Sequence, residues 1–85
     1  MLFFEEMRML QLSQKWVDYL VTQGETGMGY QDTDITLVDE RVFKETIVCN
    51  CEWAYLPEDQ GIEEPMITNI KVFLRGERPP TVRMF

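Results

Sequence analysis

The chain contains no histidine, and this absence removes most of the familiar catalytic arrangements. Serine or cysteine nucleophiles paired with histidine, histidine-ligated zinc and histidine proton shuttles all require an imidazole. Acid–base chemistry would fall to a carboxylate whose pKa is raised by burial, a desolvated lysine or a cysteine thiolate. The residue types that remain to be considered are therefore the carboxylates and the two cysteines.

Cys49 and Cys51 are separated by one residue in a segment with the alternation of a strand. The strand rise puts their Cβ atoms about 6 to 7 Å apart, whereas a disulfide needs about 3.8 Å, so a bridge requires a bulge or a turn at Asn50. Two thiols also fall short of the four ligands of a closed zinc site. We interpret both cysteines as small core residues, with a redox or metal role as the alternative.

Glu45 is the carboxylate whose position is most informative. Its parity places it on the apolar face of the long strand, where burial would oppose ionisation. An edge position, or a partner such as Arg41, Lys71 or Arg75, explains it more simply than catalysis does.

Two acidic motifs have the residue types of cation ligands. Asp32 and Asp34 have the spacing of an oxygen-ligand site but lack the glycine and the bidentate glutamate of an EF-hand loop. The loop 57–65 holds four carboxylates with no base between them, which predicts a solvated acidic surface able to meet a basic partner. These four are Glu58, Asp59, Glu63 and Glu64. No metal and no cofactor is predicted.

Length and charge restrict the class of protein. Eighty-five residues suffice for one domain, and a net charge of −7 disfavours direct binding to nucleic acid or to anionic membranes. No secretory signal and no apolar run of about 18 residues is present, so we expect a soluble, cytoplasmic protein. The apolar residues 1–8 are expected to pack on the domain or on a second copy. Residues 1–76 are predicted to form the domain and residues 77–85 an extended, basic tail.

The helix and the strands are predicted from hydrophobic periodicity. An amphipathic helix has Ser13 as a plausible N-cap and ends at Gly24. Met9 and Leu10 fall on the same apolar arc as its later residues, so the stretch before Ser13 is either an added turn of this helix or an irregular lead-in. Strands follow over 34–38, 42–56 and 69–75, with a turn at 39–40, and the long strand is either bent or split at Asn50. In the long strand one parity is expected to face the core: Phe43, Ile47, Cys49, Cys51, Trp53 and Tyr55.

The order of these elements predicts an α+β fold. One amphipathic helix would pack on a three- to four-stranded antiparallel meander sheet, because no crossover helix connects the strands. The alternative is closure of the same strands into a small SH3-like or Sm-like barrel with an N-terminal helix.

Residues 15–20, 25–31 and 39–43 (KWVDYL, ETGMGYQ and DERVF) resemble short bacterial proteins of unknown function. This resemblance covers about residues 15–48 and implies no activity. The helix, the strand and the Asp-x-Arg-x-Phe turn are also similar to the opening of Sm-like proteins, which form rings and bind RNA. The chain departs from that pattern by Glu40 in place of glycine, by the lack of a second motif near Ile70 and by its acidic charge.

Three functional hypotheses follow. The first is a non-catalytic protein-interaction or assembly module that self-associates or binds another protein. Its contact surface would comprise Trp16, Tyr30, Trp53, Tyr55 and the four acids of the loop, Glu58, Asp59, Glu63 and Glu64. The second is an acidic mimic of nucleic acid that occupies a basic groove on a DNA-binding enzyme. The third is a small enzyme, or a metal or redox protein, that uses Glu45 or the two cysteines.

Overall fold

The computed structural model describes residues 7–79, which form one helix and five strands. The elements are β1 (Met7–Gln11), α1 (Gln14–Val21), β2 (Tyr30–Leu37), β3 (Val42–Cys49), β4 (Trp53–Pro57) and β5 (Ile67–Phe73). The strands form one sheet in the order β1-β4-β3-β2-β5, and all neighbours are antiparallel. The predicted α+β fold is confirmed, although the sheet has five strands rather than three or four. Within the described residues it is open, with β1 and β5 at its edges, and does not close into the alternative barrel.

Strand β1 is the element that the periodicity did not predict. Met9 and Leu10, expected in an added helical turn or an irregular lead-in, instead lie in β1. The segment before Ser13 also alternates with period two, so that Leu10 packs against the core whereas Met9 is exposed. A segment this short is ambiguous in sequence, and pairing with the distant strand β4 makes it a strand.

Helix α1 begins after Ser13, which has the extended backbone of an N-cap residue as predicted. It ends at Val21, before the glycine that was expected to terminate it. The side chain of Gln31, buried on β2, donates its Nε2–H groups to the carbonyl oxygens of Leu20 at 2.9 Å and Gly24 at 2.7 Å. The end of the helix is therefore capped by the sheet, because the last helical carbonyls lack partners within the helix.

The long segment 42–56 is split by a tight turn at Asn50. Asn50 and Cys51 have φ angles of 53° and 59°, and the amide of Glu52 donates to the carbonyl of Cys49 at 3.0 Å. Two successive positive φ angles are the pattern of the type I′ turn, which matches the twist of a β-hairpin. Of the two possibilities left open by the sequence, the split is the one the fold adopts.

The two faces of the sheet have unequal cover. One face of the sheet packs against Leu20 of α1 and against Ile62 of the loop between β4 and β5. We call it the inner face and the opposite one the outer face. The core face predicted for the long segment is wrong for most of it, because the buried residues after the start of the segment are those of the other parity: Thr46, Val48, Ala54 and Leu56. Of the residues that were expected in the core, Phe43 and Cys51 do pack against it. The expected core residues Ile47, Cys49, Trp53 and Tyr55 lie on the outer face and are half-buried.

A bulge in β3 explains why parity failed. The register of β3 against β2 shifts between Thr33 and Ile35, so Lys44 and Glu45 together oppose Asp34. One extra residue reverses the direction of every side chain beyond it. Phe43 before the bulge and Ile47 after it therefore have the same parity, yet Phe43 faces the inner side of the sheet and Ile47 faces the outer side.

No helix among residues 7–79 is long and apolar enough to cross a membrane.

Candidate functional site

Three shallow depressions adjoin one another on the outer face, and Glu45 lines all of them. Their volumes are about 250, 330 and 300 Å³. We call the combined surface the outer-face groove. It has an apolar end formed by Met7, Ile47 and Tyr55, and a charged end formed by Asp32, Asp34, Lys44, Lys71 and Arg78, with Glu45 between them.

Glu45 is held in a strained backbone conformation at the centre of this groove. Its φ of 56° lies in the left-handed region that favours glycine. Its amide donates to the Asp34 carboxylate at 3.2 Å, and the hydroxyl of Thr46 donates to the carbonyl of Phe43 at 2.9 Å, so hydrogen bonds support the bulge on both sides. A non-glycine residue in this region costs on the order of 1 kcal/mol or more, and such strain is concentrated at functional sites. The result is an exposed carboxylate aimed by the bulge into the groove.

Glu45 does not lie at an edge of the sheet, since β3 is the central strand. Within residues 7–79 the structure shows no ion pair between Glu45 and Arg41, Lys71 or Arg75. Both simple explanations offered by the sequence are therefore wrong for the described part of the chain.

The charged end is organised by Arg78. Its Nε and Nη2 donate to the Asp32 carboxylate at 2.7 and 2.8 Å, and Nη2 also lies 2.8 Å from Asp34 Oδ1. The guanidinium lies 4.1 Å from the centre of the Phe73 ring. The hydrogen bond with Asp32 is the main cause that raises the pKa of Arg78, desolvation opposes it, and Asp34 adds to the increase. The side chains of Arg78 and Asp32 are each 19% exposed.

The two carboxylates of the Asp-x-Asp motif are both paired with the guanidinium of Arg78. Residues i and i+2 of a strand point to the same face, which brings Asp32 and Asp34 together on the outer face of β2. Within residues 7–79 no group of three or more histidine, cysteine, aspartate or glutamate side chains is arranged to hold a metal ion.

The apolar end continues along two rows of the sheet. Met9 is opposite Tyr55 in the register and is 52% exposed. In the next row Trp53 is opposite Cys49, which in turn is opposite Tyr30. The outer face therefore presents aromatic and aliphatic side chains across four of its strands, and these large side chains are only half-buried or exposed.

The predicted contact residues do not form one surface. Tyr30, Trp53 and Tyr55 belong to the outer face, but Trp16 lies on the helix and packs against the inner core. The Trp16 ring meets that of Tyr19 edge to face at 5.9 Å. The thickness of the sheet therefore separates Trp16 from the other three aromatic residues.

The acidic loop is also separate from the groove. Glu58 and Asp59 lie in a short 3₁₀ turn, and Glu63 and Glu64 surround the start of a second one. Ile62, between the two turns, is 1% exposed and anchors the loop to the inner core. None of the four carboxylates lines the outer-face groove.

Both cysteines are free. Cys49 ends β3 and Cys51 lies in the turn, so they do not share one face of a single strand. Burial is the main cause that raises the pKa of the Cys51 thiol, and the negative charge of Glu25 adds to it. A raised pKa lowers the thiolate fraction at neutral pH, which disfavours Cys51 as a nucleophile.

Sequence reasoning missed four residues of the groove: Met7, Ile47 as an outward-facing residue, Lys44 and Arg78. The one signal that pointed to Arg78 was the basic charge of the segment after residue 70, next to an acidic body. The prediction that residues 77–85 form a tail remains a prediction, since only 77–79 are described and Arg78 contacts the sheet. The expected packing of residues 1–8 lies outside the described residues except at Met7 and Arg8, which belong to β1.

Comparison with protein-family models found no match. Comparisons with curated proteins and with solved structures likewise found no significant match. The resemblances to short bacterial proteins and to Sm-like proteins therefore rest on the quoted segments alone.

Proposed function

We propose that this protein is a non-catalytic protein-interaction module and that the outer-face groove is its contact surface. The observation that supports the proposal most is the exposed Glu45 carboxylate, held in a strained bulge between an apolar end and a charged end. Strain of this kind persists only where the surrounding structure fixes it, and it re-aims a side chain. A shallow groove with one apolar and one charged end gives a partner protein an area to contact and fixes the orientation in which that partner binds.

The two ends of the groove have different roles in this proposal. The apolar end, with the neighbouring Trp53 and Tyr30, supplies large side chains of the type that dominate binding energy at protein interfaces. The charged end fixes the orientation of the partner, since charge complementarity contributes more to specificity than to affinity. We include in the proposal a cytoplasmic location, in which both thiols stay reduced.

The arrangement of the acids favours protein contact over nucleic-acid mimicry. Asp32 and Asp34, which a mimic would present as free negative charges, are paired with Arg78. The four acids of the loop do not line the groove and so do not extend its charge. A mimic needs a continuous array of unpaired negative charge that imitates phosphates.

The test compares bound proteins recovered from the native host with three forms of the chain. These forms are the natural sequence, Ile47→Lys in the groove, and the control Val21→Lys on the helix, where Val21 is 62% exposed. We expect the same partner with the natural chain and the control, and its loss with Ile47→Lys. Thermal unfolding of all three forms checks that they fold.

Recovery of the same partner with Ile47→Lys contradicts the groove as the contact surface. A partner that is a DNA-binding enzyme, released steeply by rising salt, supports the mimic instead, because counterion screening weakens an interaction built on phosphate-like charge.

A further inference from the structure

We propose that the partner of the outer-face groove is the same groove on a second copy of this chain, so that two sheets pack face to face. This inference rests on the proposed function, because it names the partner of the same surface. Three features of the described residues support it: the charge balance of the groove, the groups in it that lack an ion-pair partner, and its size.

The groove is electrically balanced on a strongly acidic protein. The chain has a net charge of −7. Its groove is lined by three acids, Asp32, Asp34 and Glu45, and by three bases, Lys44, Lys71 and Arg78. Two copies of an acidic molecule repel each other, and the repulsion is least where the local charges cancel. A neutral, partly apolar face is therefore where a second copy can approach most closely.

Among residues 7–79, three charged groups of the groove have no ion-pair partner. Asp32 and Asp34 are each paired with Arg78, but within residues 7–79 the structure gives no ion pair to Glu45, Lys44 or Lys71, although the Lys71 ammonium lies 4.9 Å from the centre of the Phe73 ring. A two-fold interface joins the same patch on both subunits, so a patch that carries both signs can complement itself. In such a pair Glu45 of one copy meets Lys71 of the other, and the reciprocal contact forms at the same time.

The size of the face predicts a weak, reversible dimer. Five strands at about 4.8 Å spacing give a width of about 24 Å, and strands of 5 to 8 residues at about 3.3 Å per residue give a length of about 20 Å. The planar footprint is about 500 Å², and it is at the small end of the surfaces that form standard interfaces, in which each partner buries about 800 Å² of accessible surface. Packing of the two faces covers the exposed Met9 and the half-buried Ile47 and Tyr55. We therefore expect dissociation in the micromolar range or weaker.

The test is sedimentation equilibrium of the full chain from about 5 to about 500 μM, a range that brackets micromolar dissociation constants. We expect the natural chain and the control Val21→Lys to approach twice the monomer mass. Ile47→Lys is expected to weaken dimerisation at least tenfold. A monomer at every concentration, or equal dimerisation of the natural chain and Ile47→Lys, overturns the proposal.

A charge exchange tests the geometry of the contact. Glu45→Lys and Lys71→Glu each place like charges opposite one another in a homodimer, and each is expected to stay monomeric. Their equimolar mixture restores both opposite-charge contacts and is expected to form a heterodimer. Absence of the heterodimer, when each variant folds by circular dichroism, contradicts the contact between Glu45 and Lys71.

These results separate the two proposals. A monomeric chain whose host partner is still lost with Ile47→Lys leaves the groove as a contact surface and removes the second copy as its partner. A dimer that depends on Ile47, without any other host partner, identifies the groove as a self-association surface alone.

Discussion

Arg78 donates two hydrogen bonds to the carboxylate of Asp32, from Nε to Oδ2 at 2.7 Å and from Nη2 to Oδ1 at 2.8 Å. The two residues are 46 positions apart in the sequence. Their pairing fastens the segment after β5 to the outer face of β2 and places the guanidinium against the Phe73 ring. A fork of two parallel hydrogen bonds is specific to arginine, because lysine has a single ammonium group.

The first prediction concerns this pair. We expect Arg78→Lys to lower the free energy of unfolding by about 1 kcal/mol, because the partly buried fork and the stacking on Phe73 are both lost. Urea denaturation measures the change. Arg75→Lys is the matched control, since Arg75 is exposed in the turn after β5. Equal stability of Arg78→Lys and the natural chain contradicts a role for the fork.

The second prediction concerns the strain at Glu45. Glycine adopts its φ of 56° without steric cost, so Glu45→Gly is expected to raise the free energy of unfolding by roughly 0.5 to 1 kcal/mol. Glu45→Val is expected to lower it by more than about 1 kcal/mol, because a β-branched residue is strongly disfavoured at positive φ. The measurement is urea denaturation of the three chains.

If the strained conformation is kept because the Glu45 side chain takes part in the dimer contact, the Glu45→Gly variant is expected to be more stable than the natural chain and to lose dimerisation. Asn50→Gly, also at positive φ but in the hairpin turn, is expected to leave dimerisation unchanged. If Glu45→Gly dimerises as the natural chain does, the Glu45 carboxylate is not part of the contact.

The third prediction concerns the cap on helix α1. Gln31→Leu removes both donors from the carbonyls of Leu20 and Gly24 and is expected to cost about 1 to 3 kcal/mol of unfolding free energy. Gln31→Glu is expected to cost more at neutral pH, because it sets a negative charge against carbonyl oxygens at the negative end of the helix dipole. Denaturation at pH 7 and at about pH 4 checks this, since a protonated glutamic acid regains one donor. A pH-independent deficit of Gln31→Glu relative to Gln31→Leu contradicts the cap.

The fourth prediction follows from the raised pKa of Cys51. Its folded-state pKa lies above the unfolded value, so the folded chain holds this proton more tightly. The contribution to stability is complete below the unfolded pKa of about 8.5 and is lost as pH rises through the folded pKa. We expect the stability of the natural chain to fall relative to Cys51→Ala between about pH 8 and about pH 10. A constant difference between the two chains over this range contradicts burial of the thiol.

Local patterns in the sequence predicted the elements whose signals are local. Ser13 was recognised as the helix N-cap by its type and by the apolar periodicity that follows it. The turn at 39–40 is confirmed, with Glu40 at a φ of 72°, and Asn50 was recognised as a possible break in a strand longer than usual. The N-cap, the turn at 39–40 and the break at Asn50 each depend on residues that are close together in the sequence, so these features can be recognised without knowing any distant contact.

The candidate site was predicted only in part, because local patterns do not show which distant residues lie on the same face. Tyr30, Trp53 and Tyr55 were selected as aromatic contact residues, and all three lie on the outer face. Trp16 and the acidic loop were placed with them because the sequence does not show which face of the fold a residue lies on. In the structure Trp16 packs against the inner core, and the four acids of the loop do not line the groove. Arg78 was missed because its partners lie on β2, far from it in the sequence, and no local pattern indicates a contact over that distance.

The sequence by itself determined the chemistry available to this protein: no imidazole, an acidic excess, two thiols, and a chain just long enough for a helix and a small sheet. The tertiary structure decided which apolar residues form the core and which remain outside. The physical reason is the bulge at Lys44 and Glu45, since one extra residue reverses which face each later side chain points to. That reversal buries Val48 and leaves Ile47 and Tyr55 on the outer face, where they line the apolar end of the groove.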